Sequence, residues 1–123
     1  MKTFFISGHL DLTAVEFEEH YAPRLRALAA DPDVSFIVGD APGADAMAQE
    51  RLKALGVSRM TVYHMLVAPR HWCGVGTLKG GYATDKARDA AMTSESTGDL
   101  AWVRPGREKS GTAKNLLRRV AKR

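Results

Sequence analysis

Short, almost unbroken apolar runs recur along the chain, and each gives way to a segment with helical spacing. Residues 2–7 (KTFFIS), 34–38 (VSFIV), 60–66 (MTVYHML) and 99–103 (DLAWV) are too short for buried helices. They are apolar on both faces, as strands covered on both sides must be. Between them, residues 13–30, 44–55, 84–93 and 111–122 repeat apolar positions at helical intervals. The predicted order is β-α-β-α-β-α-β-α. It implies an α/β fold, a Rossmann-like doubly wound parallel sheet with helices on both faces.

Local chemistry sharpens the boundaries. Thr13 with Glu16 three residues on is a capping box, and Pro23 should kink or split the helix that follows. Asp31-Pro32-Asp33 is a turn, Gly56 stops the second helix, and Thr84 caps the third. Residues 67–83 hold four glycines and a proline with little periodicity, and read as a long functional or mobile loop.

At 123 residues and 13.4 kDa the chain suits a single domain, 1–123. The lone Cys73 excludes an internal disulfide framework. No apolar run approaches the ~20 residues that span a bilayer, and the 3–6 stretch is too short for a signal-peptide core. A cytoplasmic protein without membrane contact is expected. The net charge of +4 is uneven. Residues 104–123 carry eight basic residues against one acid, whereas residues 1–103 carry ten against thirteen. A local basic segment attracts a phosphorylated small molecule or a polyanion. It also suits a solvated terminal helix.

In a sheet of this kind ligands bind beyond the carboxyl ends of the strands. Those ends read Ser7-Gly8-His9, then Gly39 to Asp45 (GDAPGAD), then the 67–83 loop, then Arg104 to Thr112 (RPGREKSGT). Glycine admits close backbone approach, and helix N-termini offer free N–H groups and partial positive charge. Together they make a phosphate cradle, to which Ser110 and Thr112 add hydroxyls. Neither a Walker A motif nor GxGxxG is present.

The GDAPGAD segment, the RDAAM stretch (Arg88 to Met92) and the loop with Ser110-Gly111-Thr112 occur in that order. In this the chain resembles the SLOG superfamily, which includes the Lonely Guy phosphoribohydrolases, the DprA proteins and the small YspA- and YpsA-type proteins. The small YspA-like branch is the nearest in pattern. The resemblance implies a nucleotide or nucleotide-derived ligand. Ser7 and Gly8 would flank it, Gly39, Gly43 and Asp45 would form a second loop, Arg88 would face phosphate or ribose, and Gly111 and Thr112 would hold phosphate. His9, Asp40, Ala44, Met92, Arg104, Ser110 and Asn115 complete the predicted ligand-binding set. Asp89 stands where the pattern has asparagine. Asn115 stands where the phosphoribohydrolases carry their catalytic glutamate, which weighs against N-glycosidic hydrolysis and leaves no catalytic residue assigned.

Three classes of function compete. The first is a module that senses or sequesters a nucleotide-like ligand and requires no cofactor. The second is a hydrolase or transferase acting on a nucleotide N-glycosidic bond, in which Asp40, Asp45, Asp89 or Glu108 would replace the missing carboxylate. The third, a nucleic-acid binder using the basic C-terminal segment, has no recognition motif behind it. The first is preferred, with a homodimer or higher oligomer expected. His64, His71 and Cys73 match no metal-ligand spacing, so no metal is expected. Trp72 either stacks on a base or caps the sheet edge.

Overall fold

The computed structural model describes residues 2–122, the last of these in its backbone alone. Five strands form one sheet: β1 (Lys2–Ile6), β2 (Val34–Gly39), β3 (Met60–Met65), β4 (Thr77–Tyr82) and β5 (Gly98–Leu100). Their spatial order is β4-β3-β2-β1-β5, and every neighbouring pair is parallel. The helices are α1 (Ala14–His20), α2 (Ala22–Ala29), α3 (Ala44–Ala54), α4 (Asp85–Ser94) and α5 (Gly111–Lys122).

Alternation along the strands sorts side chains onto two faces. Ile6, Phe36, Val38 and Val62 join Phe17, Tyr21, Leu25 and Leu52 in the larger core, beneath α1, α2 and α3. Phe5, Ile37 and Tyr63 turn the other way and meet Met92 of α4. Helices therefore cover both faces, in the Rossmann-like, doubly wound manner. The chain leaves β1 toward β2 on one side and later returns to place β5 on the other. The connections after β1 and β5 diverge there and open a crevice.

The capping box forms as the sequence requires: Thr13 Oγ1 accepts the Glu16 amide (3.1 Å), and Glu16 accepts the Thr13 amide (2.9 Å). Pro23 splits the predicted 13–30 helix in two. It sits in the first turn of α2, where its missing N–H costs nothing.

Two sequence expectations are corrected. The 67–83 segment is not all loop, because its last third is β4. This strand is mostly exposed, lies at the sheet edge and contains Gly80 and Gly81, so it shows none of the apolar continuity that marks the inner strands. Gly80 is required there, since any Cβ would run into the imidazole of His64 on β3. The strand predicted over 99–103 ends at Leu100, and here side chains intervene. The Trp102 amide donates to the Tyr21 hydroxyl (3.0 Å) and the Arg104 amide to His9 Nε2 (2.8 Å), so neither remains for a strand ladder.

Candidate functional site

A cleft of about 570 Å³ opens beyond the carboxyl ends of β1 and β2, with the N-terminus of α5 as one wall and α4 as another. Of the predicted set, Ser7, Gly8, His9, Gly39, Asp45, Arg88, Met92, Ser110, Gly111, Thr112 and Asn115 line it. Segments more than a hundred residues apart in sequence thus meet in one place.

At the α5 wall, Ser110 caps the helix, its Oγ accepting the Ala113 amide at 3.2 Å. The amides of Gly111 and Thr112, in the first turn, have no intrahelical acceptor. Gly111 has no positive φ, and among the described residues no atom lies within 4 Å of where a Cβ would stand. Nothing within the protein demands glycine there, and its bare backbone borders the cleft. Arg107 reaches the same rim, with Asp11 as its partner at 2.7 Å. On the floor, the Ser7 hydroxyl is buried and has no hydrogen-bond partner among the described residues. A buried unpaired hydroxyl is costly, and Ser7 borders the cleft at this point.

The opposite wall is built on charge. Asp40, fully buried, receives Arg88 Nη1 (2.6 Å), Arg70 Nη2 (2.9 Å) and the Arg70 amide (2.8 Å). Burial alone would raise its carboxyl, but the bonds from Arg70 and the charges of Arg70 and Arg88 outweigh that and hold it below the ordinary value. Arg88 also binds Asp89 through Nε (3.2 Å) and Nη2 (3.1 Å). Asp45 has the reverse environment. It is 8% exposed and accepts one hydrogen bond, from the Ala41 amide at 3.2 Å. Burial drives its pKa up to about 7, against the opposing pull of the Arg88 charge and the Ala41 bond. Gly39 makes room for this carboxyl, since a Cβ there would meet Asp45 Oδ2.

Four predicted residues do not line the cleft. Asp40 lies behind it and holds Arg70 and Arg88 in place. Gly43 (φ +79°) allows the start of α3 to pack on the His9 and Leu10 carbonyls, which a Cβ would strike. The Ala44 amide donates to the His9 carbonyl at 3.1 Å, so this helix N-terminus is partly satisfied from within. Arg104 turns toward α1, where Glu16 takes both its Nε (2.8 Å) and Nη2 (2.6 Å). His9 lines the cleft, but its Nε2 is committed to the Arg104 amide. Burial and the charges of Arg104 and Arg107 lower its pKa.

Nor does the basic C-terminal segment form one cationic face among the described residues. Arg104 and Arg107 pair with acids, and Arg119 is buried against Asp99 (2.9 Å), the Thr93 carbonyl in the last turn of α4 and the Ser96 carbonyl just beyond it. Glu108 turns back on its own loop and accepts the Gly106 amide at 3.2 Å. Trp72 is outside the cleft, its indole donating to the Val75 carbonyl at 3.2 Å. His71 bonds Glu50 (2.8 Å), and the Cys73 amide bonds Gln49 (3.0 Å).

The sequence reading missed Arg70, Asp11 and Asp85 as cleft residues. The one available signal for Arg70 was an arginine soon after the carboxyl end of a predicted strand, in a segment with no periodicity to fix its path. The chain shows no significant match to any family model, curated protein or solved structure with which it was compared.

Proposed function

We propose that the chain is a binding module for a phosphorylated, nucleotide-like ligand, in line with its resemblance to the small YspA-like branch of the SLOG superfamily. One observation carries this reading. The unsubstituted first turn of α5, with free amides and a residue that is glycine for no internal reason, faces the same cleft as the unpartnered Ser7 hydroxyl. A helix N-terminus joined by serine and threonine hydroxyls and an arginine favours an oxyanion. The phosphate lies at the α5 wall between Gly111, Thr112 and Arg107. The sugar crosses Ser7 and Gly8 toward Asp45 and Arg88, above Phe5 and Met92.

The test is thermal stabilisation by a panel of nucleoside mono- and diphosphates, read for wild type and Gly111→Asp. The new carboxylate enters open space and sits where an acid favours the helix dipole, so the unliganded protein should lose no stability. Its charge occupies the phosphate position, and affinity should fall at least ~10-fold, about 1.4 kcal/mol. Equal affinity in the two proteins refutes the placement. A second reading, N-glycosidic cleavage, is favoured by the carboxyls of Asp45 and Asp89 sharing one cleft. Free base appearing in the same samples would decide for it.

A further inference from the structure

The Asp45 carboxyl combines features that plain anion binding leaves unexplained. It is buried, it lines the cleft to which the phosphate is assigned above, and one of its oxygens has no hydrogen-bond partner among the described residues. Among the described residues no cation bonds to it, because the nearby guanidinium of Arg88 is taken by Asp40 and Asp89. Two further carboxylates, Asp40 and Asp89, therefore press on it from β2 and α4. Arg70, from the loop after β3, is occupied by Asp40. His9, from the loop after β1, has a lowered pKa and is bonded to the Arg104 amide. An anionic ligand adds another negative charge to this enclosure, which favours the neutral acid. A carboxylic acid held neutral in an enclosed site is a hydrogen-bond donor.

We propose that Asp45 takes part in binding as the neutral acid, donating its proton to an acceptor atom of the ligand, so that ligand and proton are taken up together. The proposal rests on the phosphate-binding reading above and adds a selectivity to it. The part of the ligand beyond the phosphate presents an acceptor, a ring oxygen, a carbonyl or an unprotonated ring nitrogen, opposite Asp45. Ligands offering only N–H donors there meet a like group and bind less well.

The probe must not titrate itself, so we specify the methyl ester of adenosine 5′-phosphate, whose single charge is constant from pH 6 to 9. Calorimetry in buffers of different ionisation heat counts the protons bound. Wild type should take up close to one proton at pH 8, and its affinity should fall almost tenfold per pH unit above pH 7.5. Asp45→Asn keeps a donor at this position and loses the titration. It should bind with affinity constant from pH 6 to 8.5. Proton uptake below a quarter of a proton in wild type, or the same pH slope in both proteins, overturns the inference and leaves phosphate binding standing. Absence of binding by both proteins even at pH 6 overturns phosphate binding and this inference with it. The proton count on wild type stands even if the variant fails to fold.

Discussion

Tyr21→Phe removes a single oxygen, and the structure defines its cost. The Tyr21 hydroxyl is fully buried, donates to the Ser7 carbonyl (2.7 Å) and accepts from the Trp102 amide (3.0 Å). It ties the end of β1 to the chain leaving β5 across the mouth of the crevice. Burial raises the phenol to about 12, so it is a neutral donor at any working pH. Phenylalanine would leave a buried carbonyl and a half-buried amide unpaired. At ~1–3 kcal/mol for an orphaned buried group and less for the half-exposed one, the loss should be about 2–4 kcal/mol. For a domain of this size that is a fall in melting temperature of roughly 8–16 °C. Urea unfolding gives the free energy, with an unchanged m-value showing that the unfolded state is unaltered. Gly8→Ala supplies a coupling test. A Cβ at Gly8 would strike both the Tyr21 oxygen and Ala44 Cβ, so the substitution should cost less in the Tyr21→Phe background than in wild type. A loss below ~1 kcal/mol for Tyr21→Phe, or strict additivity with Gly8→Ala, would refute this account of how the two strand ends are joined.

Two other perturbations follow from geometry already described. Glu16 is held down to about 2 by hydrogen bonds from Arg104 and the Thr13 backbone. Its folded value lies below the ordinary 4.5, so its contribution is complete above pH 4.5 and is lost as pH falls toward 2; Glu16→Gln should flatten acid unfolding in that window. Gly80→Ala drives a Cβ into the His64 ring and should displace β4, seen as faster amide exchange confined to residues 77–82 and the facing part of β3.

How much of this was legible beforehand depended on burial. The three inner strands, β1, β2 and β3, announced themselves because both of their faces are covered, which forces apolar residues at successive positions. β4 has one neighbour and open solvent beyond it, so TLKGGY carries no such constraint and reads as loop. Helix ends were legible where a side chain caps its own turn, as Thr13 and Thr84 do. The cleft was legible through its glycines, though not the reason for each. Gly8, Gly39 and Gly43 are explained by side chains and carbonyls packed against them, and Gly111 by nothing inside the protein. Arg104 and Asp40 misled because a charged residue at a strand end looks the same in sequence whether it faces a ligand or an internal partner. Their partners, Glu16, Arg70 and Arg88, are distant in the chain and join them only through the tertiary fold.

The cleft joins the first strand to the last helix, with Ser7 and Asn115 both in its lining. During synthesis, β1 must therefore wait for some ninety residues before β5 arrives on its open flank. The α5 wall is absent until that helix has left the ribosome and docked. A ribosome-bound fragment ending before residue 110 lacks that wall, so ligand could stabilise the finished fold yet give no such help to the nascent one.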